Sequence, residues 1–190
     1  MTRKELSVAE AKALNRAILG MKHGLLYQPE NTAFKVSYQY KDETHVSAIA
    51  NGALSHLKAI RMQAVRNIEH LYYCITVRVV RAMYVTVTGE KLRQTEACVN
   101  SHIKLLEQAA NIAEDTAAFI EELDFAEDDP DTEEVIIRFR LLACMYGEMA
   151  AKSTKIAMKF FGEDDDTDKH CPATEEEKQE ARAILAKISA

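Results

Sequence analysis

The stretch ETHVSAIANGALSHLKAIRMQAVRNIEHLYYCITVRVVRA, residues 43–82, decides the fold. Val46, Ile49, Ala50, Ala53, Leu57, Ile60, Ala64, Ile68, Leu71, Ile75, Val79 and Ala82 recur at steps of three and four, the period of one helix face. A helix carrying that stripe runs about 60 Å at 1.5 Å per residue. Steps of four outnumber those of a strict heptad, which suits a globular bundle better than a free-standing coiled coil. Ile75, Val77, Val79, Val80, Val85 and Val87 are β-branched and favour strand locally. Burial of the stripe is expected to outweigh that preference and carry the helix to about Val87, before Gly89.

Upstream, Ser7-Val8-Ala9-Glu10 has the form of a capping box. Ala11, Leu14, Ile18 and Met21 follow on one face, and Gly24 is the expected stop. Between Tyr27 and Lys41 the pattern changes. Pro29 punctuates the segment, and Phe34, Val36, Tyr38 and Tyr40 alternate with polar residues at period two. Residues 33–41 are therefore expected as a strand or an extended arm across the bundle, with Val85 and Val87 as a candidate pairing partner.

Downstream, Leu92, Val99, Ile103, Leu106, Ala110, Ala113, Ala117, Ile120 and Leu123 predict a helix from about Glu90 to Asp124. The Pro130 region is an acidic loop. Asp131 and Glu134 offer a capping box to a further helix, whose face is Val135, Phe139, Leu142, Tyr146, Met149, Ile156 and Phe160 and which stops at Gly162. Residues 163–172 form a second acidic surface loop. Thr174 and Glu177 cap a short closing helix with Ala181, Leu185 and Ile188 on its face. The fold class is all-α: an antiparallel helical bundle of four main amphipathic helices plus a short C-terminal one. Residues 1–190 are expected as a single domain, because each helix has one stripe and none can bury it without the others.

Composition agrees with this outline. Six Gly, three Pro and no Trp in 190 residues leave little turn chemistry for a barrel or sandwich. No uncharged apolar run of membrane-spanning length occurs, and Met1–Glu10 lacks the apolar segment of a signal peptide. Cys74, Cys98, Cys144 and Cys171 contain no Cys-x-x-Cys pair and suit core filling in a reducing compartment, so a cytoplasmic protein is expected. Charge is divided along the chain. Residues 1–93 hold 14 Lys plus Arg against 7 Asp plus Glu, net +7, and residues 94–190 hold 10 against 23, net −13.

Conventional catalytic patterns are missing. A dinuclear carboxylate centre needs Glu-x-x-His, and the sequence has none. Cys98 and His102 are four apart with no orienting third group, and His56 and His102 are more simply flank or core histidines. His170-Cys171 offers two adjacent soft ligands with no third. The run from Glu163 to Asp168 lacks the Gly and the closing Glu of a calcium loop. Neither a cofactor nor a metal site is assigned, and enzymatic activity is not expected.

Contact with another protein is the favoured reading. Asp164, Asp165 and Asp166 can steer a basic partner, and Tyr72, Tyr73, Arg78 and Arg81 are residue types suited to an interface. Tyrosines on a bundle helix are equally at home as half-buried packing. The second and third helices outrun what the first and last can cover, so a homo-oligomer, most simply a homodimer, is expected. The alternative is nucleic-acid binding through the basic row Lys58, Arg61, Arg66, Arg78 and Arg81, opposed by the two acidic loops. A metal-dependent enzyme ranks below both.

Overall fold

The computed structural model describes residues 6–34, 45–82, 89–123 and 132–162, together with Glu175, Glu176 and Gln179; between 72 and 91 it describes backbone alone. It is an all-α bundle whose elements are α1 (Val8–Leu26), α2 (Pro29–Phe34), α3 (His45–Ala82), α4 (Gly89–Glu121) and α5 (Thr132–Phe161). No strand occurs among the described residues. No helix among them is long and apolar enough to cross a membrane. Glu175, Glu176 and Gln179 are helical; the rest of the expected closing helix lies outside the described residues.

The helix starts and stops have local causes. At the head of α1 the Ser7 amide and hydroxyl each donate to Glu10 Oε2 at 2.8 Å, while the Glu10 amide donates to Ser7 Oγ at 3.3 Å. The capping box thus satisfies groups that the first helical turn leaves over. At the end of α5, the Gly162 amide donates to the Met158 carbonyl at 3.0 Å. A Cβ at Gly162 would stand 2.5 Å from that same oxygen, so the stop needs glycine. α3 runs unbroken through its β-branched stretch to Ala82, and the expected continuation to about Val87 lies outside the described residues.

Two expectations need correction. α1 does not stop at Gly24 but continues to Leu26. The left-handed residue of that turn is Gln28, with φ of 53°. Its carbonyl accepts the amides of Asn31 at 3.0 Å and Thr32 at 3.2 Å, closing the first turn of α2. Residues 33 and 34 are helical rather than extended. Pro29 takes the first helical position, where its missing N–H costs nothing, and Glu30 lies in the first turn. The remainder of the expected strand or arm, residues 35–41, lies outside the described residues, as do Val85 and Val87.

Contacts group the chain into two compact units, Met1–Lys22 with Asn67–Ser101 and Ser153–Ala190, and His23–Arg66 with His102–Lys152. The core of the first includes Leu14, Ile18, Ile68, Leu71, Leu92, Val99, Phe160 and Phe161. On its surface Lys22 Nζ pairs with Glu69 at 3.3 Å. The core of the second includes Leu25, Phe34, Leu57, Ala64, Leu106, Ala113, Ile120, Phe139, Leu142 and Tyr146. The second unit also buries a full charge, described below.

The positive φ at Gln28 sets a test. A side chain costs about 1 kcal/mol in the left-handed region, and a β-branched one more. Gln28→Val is expected to lower unfolding free energy by at least about 1 kcal/mol in urea titration, while Gln28→Gly holds or raises it. Equal losses for both would contradict the assigned backbone.

Candidate functional site

α2 is six residues long, below the length at which a helix persists unaided in water. Side chains from its neighbours hold it. Glu30 is 2% exposed, and its carboxylate meets Arg61 of α3 and Tyr146 of α5. Arg61 Nε donates to both carboxylate oxygens, at 3.1 Å and 3.0 Å, and the Tyr146 hydroxyl donates to Oε1 at 2.7 Å. At the other end of α2, Arg138 Nη1 donates to the Ala33 carbonyl at 2.9 Å. Its guanidinium lies over the Phe34 ring, 5.9 Å from the centroid, and also pairs with Glu134. Phe34 meets Phe139 edge to face, centroids 5.0 Å apart.

The chemistry of this cluster is that of a clamp. Burial pushes the Tyr146 phenol far above its ordinary range, and the Glu30 charge and hydrogen bond push it the same way against the pull of Arg61. Tyr146 therefore stays protonated and donating. Both Glu30 oxygens are occupied, and the carboxylate is shut away from solvent, so it offers no open face to a substrate.

His102, on α4, is another buried polar group of this unit, 1% exposed. Burial lowers its pKa to about 4, opposed by a hydrogen bond to the Ala64 backbone. Its Nδ1 has no hydrogen-bond partner. The ring is thus neutral at pH 7. Cys98, one turn earlier, is exposed, and so is His56, so neither shares the interior position of His102. Among the described residues, no group of three or more His, Cys, Asp or Glu is placed to hold a metal ion.

The residues singled out from the sequence fare unevenly. Tyr72, Tyr73, Arg78 and Arg81 lie on the α3 backbone, but their side chains are outside the described set, as are Asp164, Asp165 and Asp166 altogether. Lys58 and Arg66 are exposed, whereas Arg61 is half-buried and paired with Glu30, and so leaves the expected basic row. Cys98 and Cys144 are exposed free thiols, not core fillers. Cys144 stands two residues from both Leu142 and Tyr146, about 200° around the helix from either. Glu30 escaped sequence reading because its partners are 31 and 116 residues away. Its one local signal is the Pro-Glu start of α2.

The described charged residues of α4 and α5 in this unit are of both signs. Glu107, Glu114, Asp115, Glu121, Glu122, Glu133, Glu134 and Glu148 are exposed, against Lys104, Arg140 and Lys152. Arg140 pairs with Glu121 at 2.7 Å and Lys152 with Glu148 at 3.3 Å. Ile137 and Leu141 stand among them, 58% and 47% exposed. Comparison with protein-family models, curated proteins and solved structures finds no match to this chain.

Two measurements follow from the buried groups. Removing either partner of a buried ion pair strands the other, at about 3–5 kcal/mol. Glu30→Leu and Arg61→Met should each cost that much in urea unfolding, and the double variant should recover most of the sum. Strict additivity would contradict the clamp. For His102, the folded pKa lies below the unfolded one, so the unfolded chain binds the proton preferentially. Stability is unaffected above about pH 6.5 and falls as pH drops toward 4, by about 3 kcal/mol in total. His102→Leu should remove that share of the acid sensitivity, read as a smaller shift of the urea midpoint between pH 7 and pH 4.5.

Proposed function

We propose that this chain acts by binding another protein through the outward face of α5 and the acidic surface around it. One observation supports the reading above others. Ile137 and Leu141 are one helical turn apart, and each lies two residues from the fully buried Phe139, on the face turned away from the core. An exposed branched apolar pair at that position does nothing for the packing of its own helix, whereas interface centres want such residues. Glu133, Glu134 and Glu148 flank the pair and favour a partner with basic residues around an apolar contact. Charge of this kind speeds association more than it tightens the complex.

The proposed mechanism is a rigid helix face presented to a partner, with no reaction on this chain. Steering acts first, over about 8–10 Å at physiological salt, and burial of Ile137 and Leu141 then slows dissociation. The basic row on α3 gives less support to nucleic-acid contact once Arg61 is committed to Glu30.

A photo-crosslinking side chain in place of Leu141, introduced in the host cell, tests the reading. A discrete protein adduct is expected, lost when Ile137 is changed to Glu and reduced at 0.5 M salt as a screened contact requires. No adduct, or an adduct with nucleic acid, would overturn it.

A further inference from the structure

A different pair of surfaces in the same unit carries opposite charge in matching patterns. On α3, Met62 is 44% exposed, with Lys58 four residues before it and Arg66 four after, both exposed. On α4, Phe119 is 53% exposed, with Asp115 four residues before it and Glu122 three after, both exposed. Glu122 prolongs the last turn of α4, its amide donating to the Ala118 carbonyl at 3.1 Å. Residues three and four apart share a helix face. Each surface is therefore an apolar side chain between two like charges, cations on one and carboxylates on the other.

Among the described residues, no ion pair engages any of the four flanking charges, whereas Lys22, Arg61, Arg138, Arg140 and Lys152 are all paired. The spacings match as well. Lys58 and Arg66 are eight residues apart, about 12 Å along the axis, and Asp115 and Glu122 seven apart, about 11 Å. Met62 and Phe119 are complementary too, since a thioether packs favourably against an aromatic ring.

We propose that copies of this chain associate head to tail, the Lys58–Met62–Arg66 face of one seating on the Asp115–Phe119–Glu122 face of the next. The two surfaces are unlike, so the contact is heterologous, and each copy that docks leaves one face free for another. Assembly therefore continues past the dimer. The net charge of −6 opposes approach at long range, while the four charges meet as two opposite pairs at contact. The contact is independent of the α5 face and of the partner assigned to it.

Sedimentation velocity on the full chain tests this at 50 mM and 500 mM NaCl. Species larger than a dimer are expected at the lower salt, with association weakened about tenfold at the higher. Two charge-reversed variants, Lys58→Glu with Arg66→Glu, and Asp115→Lys with Glu122→Lys, should each sediment as monomers. Mixed together they should associate again, because each then presents the complement of the other. The positions are exposed, and unchanged thermal melts by circular dichroism establish that both variants fold. A wild-type chain that stays monomeric, variants that associate like it, or a mixture that does not reassociate would each overturn the proposal. Failure here leaves an adduct at Leu141 unaffected, so the two ideas stand or fall separately.

Discussion

Burying a carboxylate is expensive, and the second unit is arranged around meeting that cost at Glu30. Removed from water, an ionised side chain loses several kcal/mol of hydration unless a counter-charge and hydrogen bonds replace it. Arg61 supplies the charge from α3 and Tyr146 the second donor from α5, so three helices must be in register for one group to be satisfied. Phe34 against Phe139 and Arg138 on the Ala33 carbonyl anchor the same short helix by apolar and backbone contacts. A wholly apolar version of this junction could be as stable. It would tolerate sliding, whereas the charged one is satisfied in a single alignment.

Local signals were legible in the sequence and distant ones were not. Ser7 with Glu10 and the glycine stop at Gly162 are settled within four residues, and the structure follows the reading at both. The long stripe through residues 43–82 was equally plain, because period and length reinforce one another. At residues 33 and 34 the alternating pattern loses to a Pro-Glu helix start just before them, and residues 35–41 lie outside the described residues. Nothing near Glu30 in the sequence announces Arg61 or Tyr146. Cysteine placement failed for another reason: hydrophobic on average, a thiol goes where helix phase puts it, and for Cys144 that is outward. His56 and His102 read alike from sequence, as flank or core histidines; of the described histidines His102 is the one buried, and its unpartnered nitrogen had no sequence signal.

Functional inference rests on what the fold leaves over. Ile137, Leu141, Met62 and Phe119 are exposed on their helices. Cations flank Met62, carboxylates flank Phe119, and the charges beside Ile137 and Leu141 are of both signs, with Glu133 and Glu134 next to Arg138 and Arg140. Catalysis asks for convergent polar groups open to a ligand. The convergent polar group described here is closed by its own partners.

The clamp on α2 also has a meaning in time. Its partners are separated from Glu30 by 31 and 116 residues, so the helix has nothing to bind until α3 and α5 have come together. Loop closure over such distances is paid before any contact rewards it. α2 is then among the last elements to order on folding and among the first to detach on unfolding. Substitutions at Glu30 would hasten unfolding while leaving the folding rate nearly untouched, a low φ-value, and a φ-value near one would show instead that the buried charge helps to nucleate the fold. The junction that fixes alignment most strictly is thus the one the chain completes last, after the apolar stripes have assembled without it.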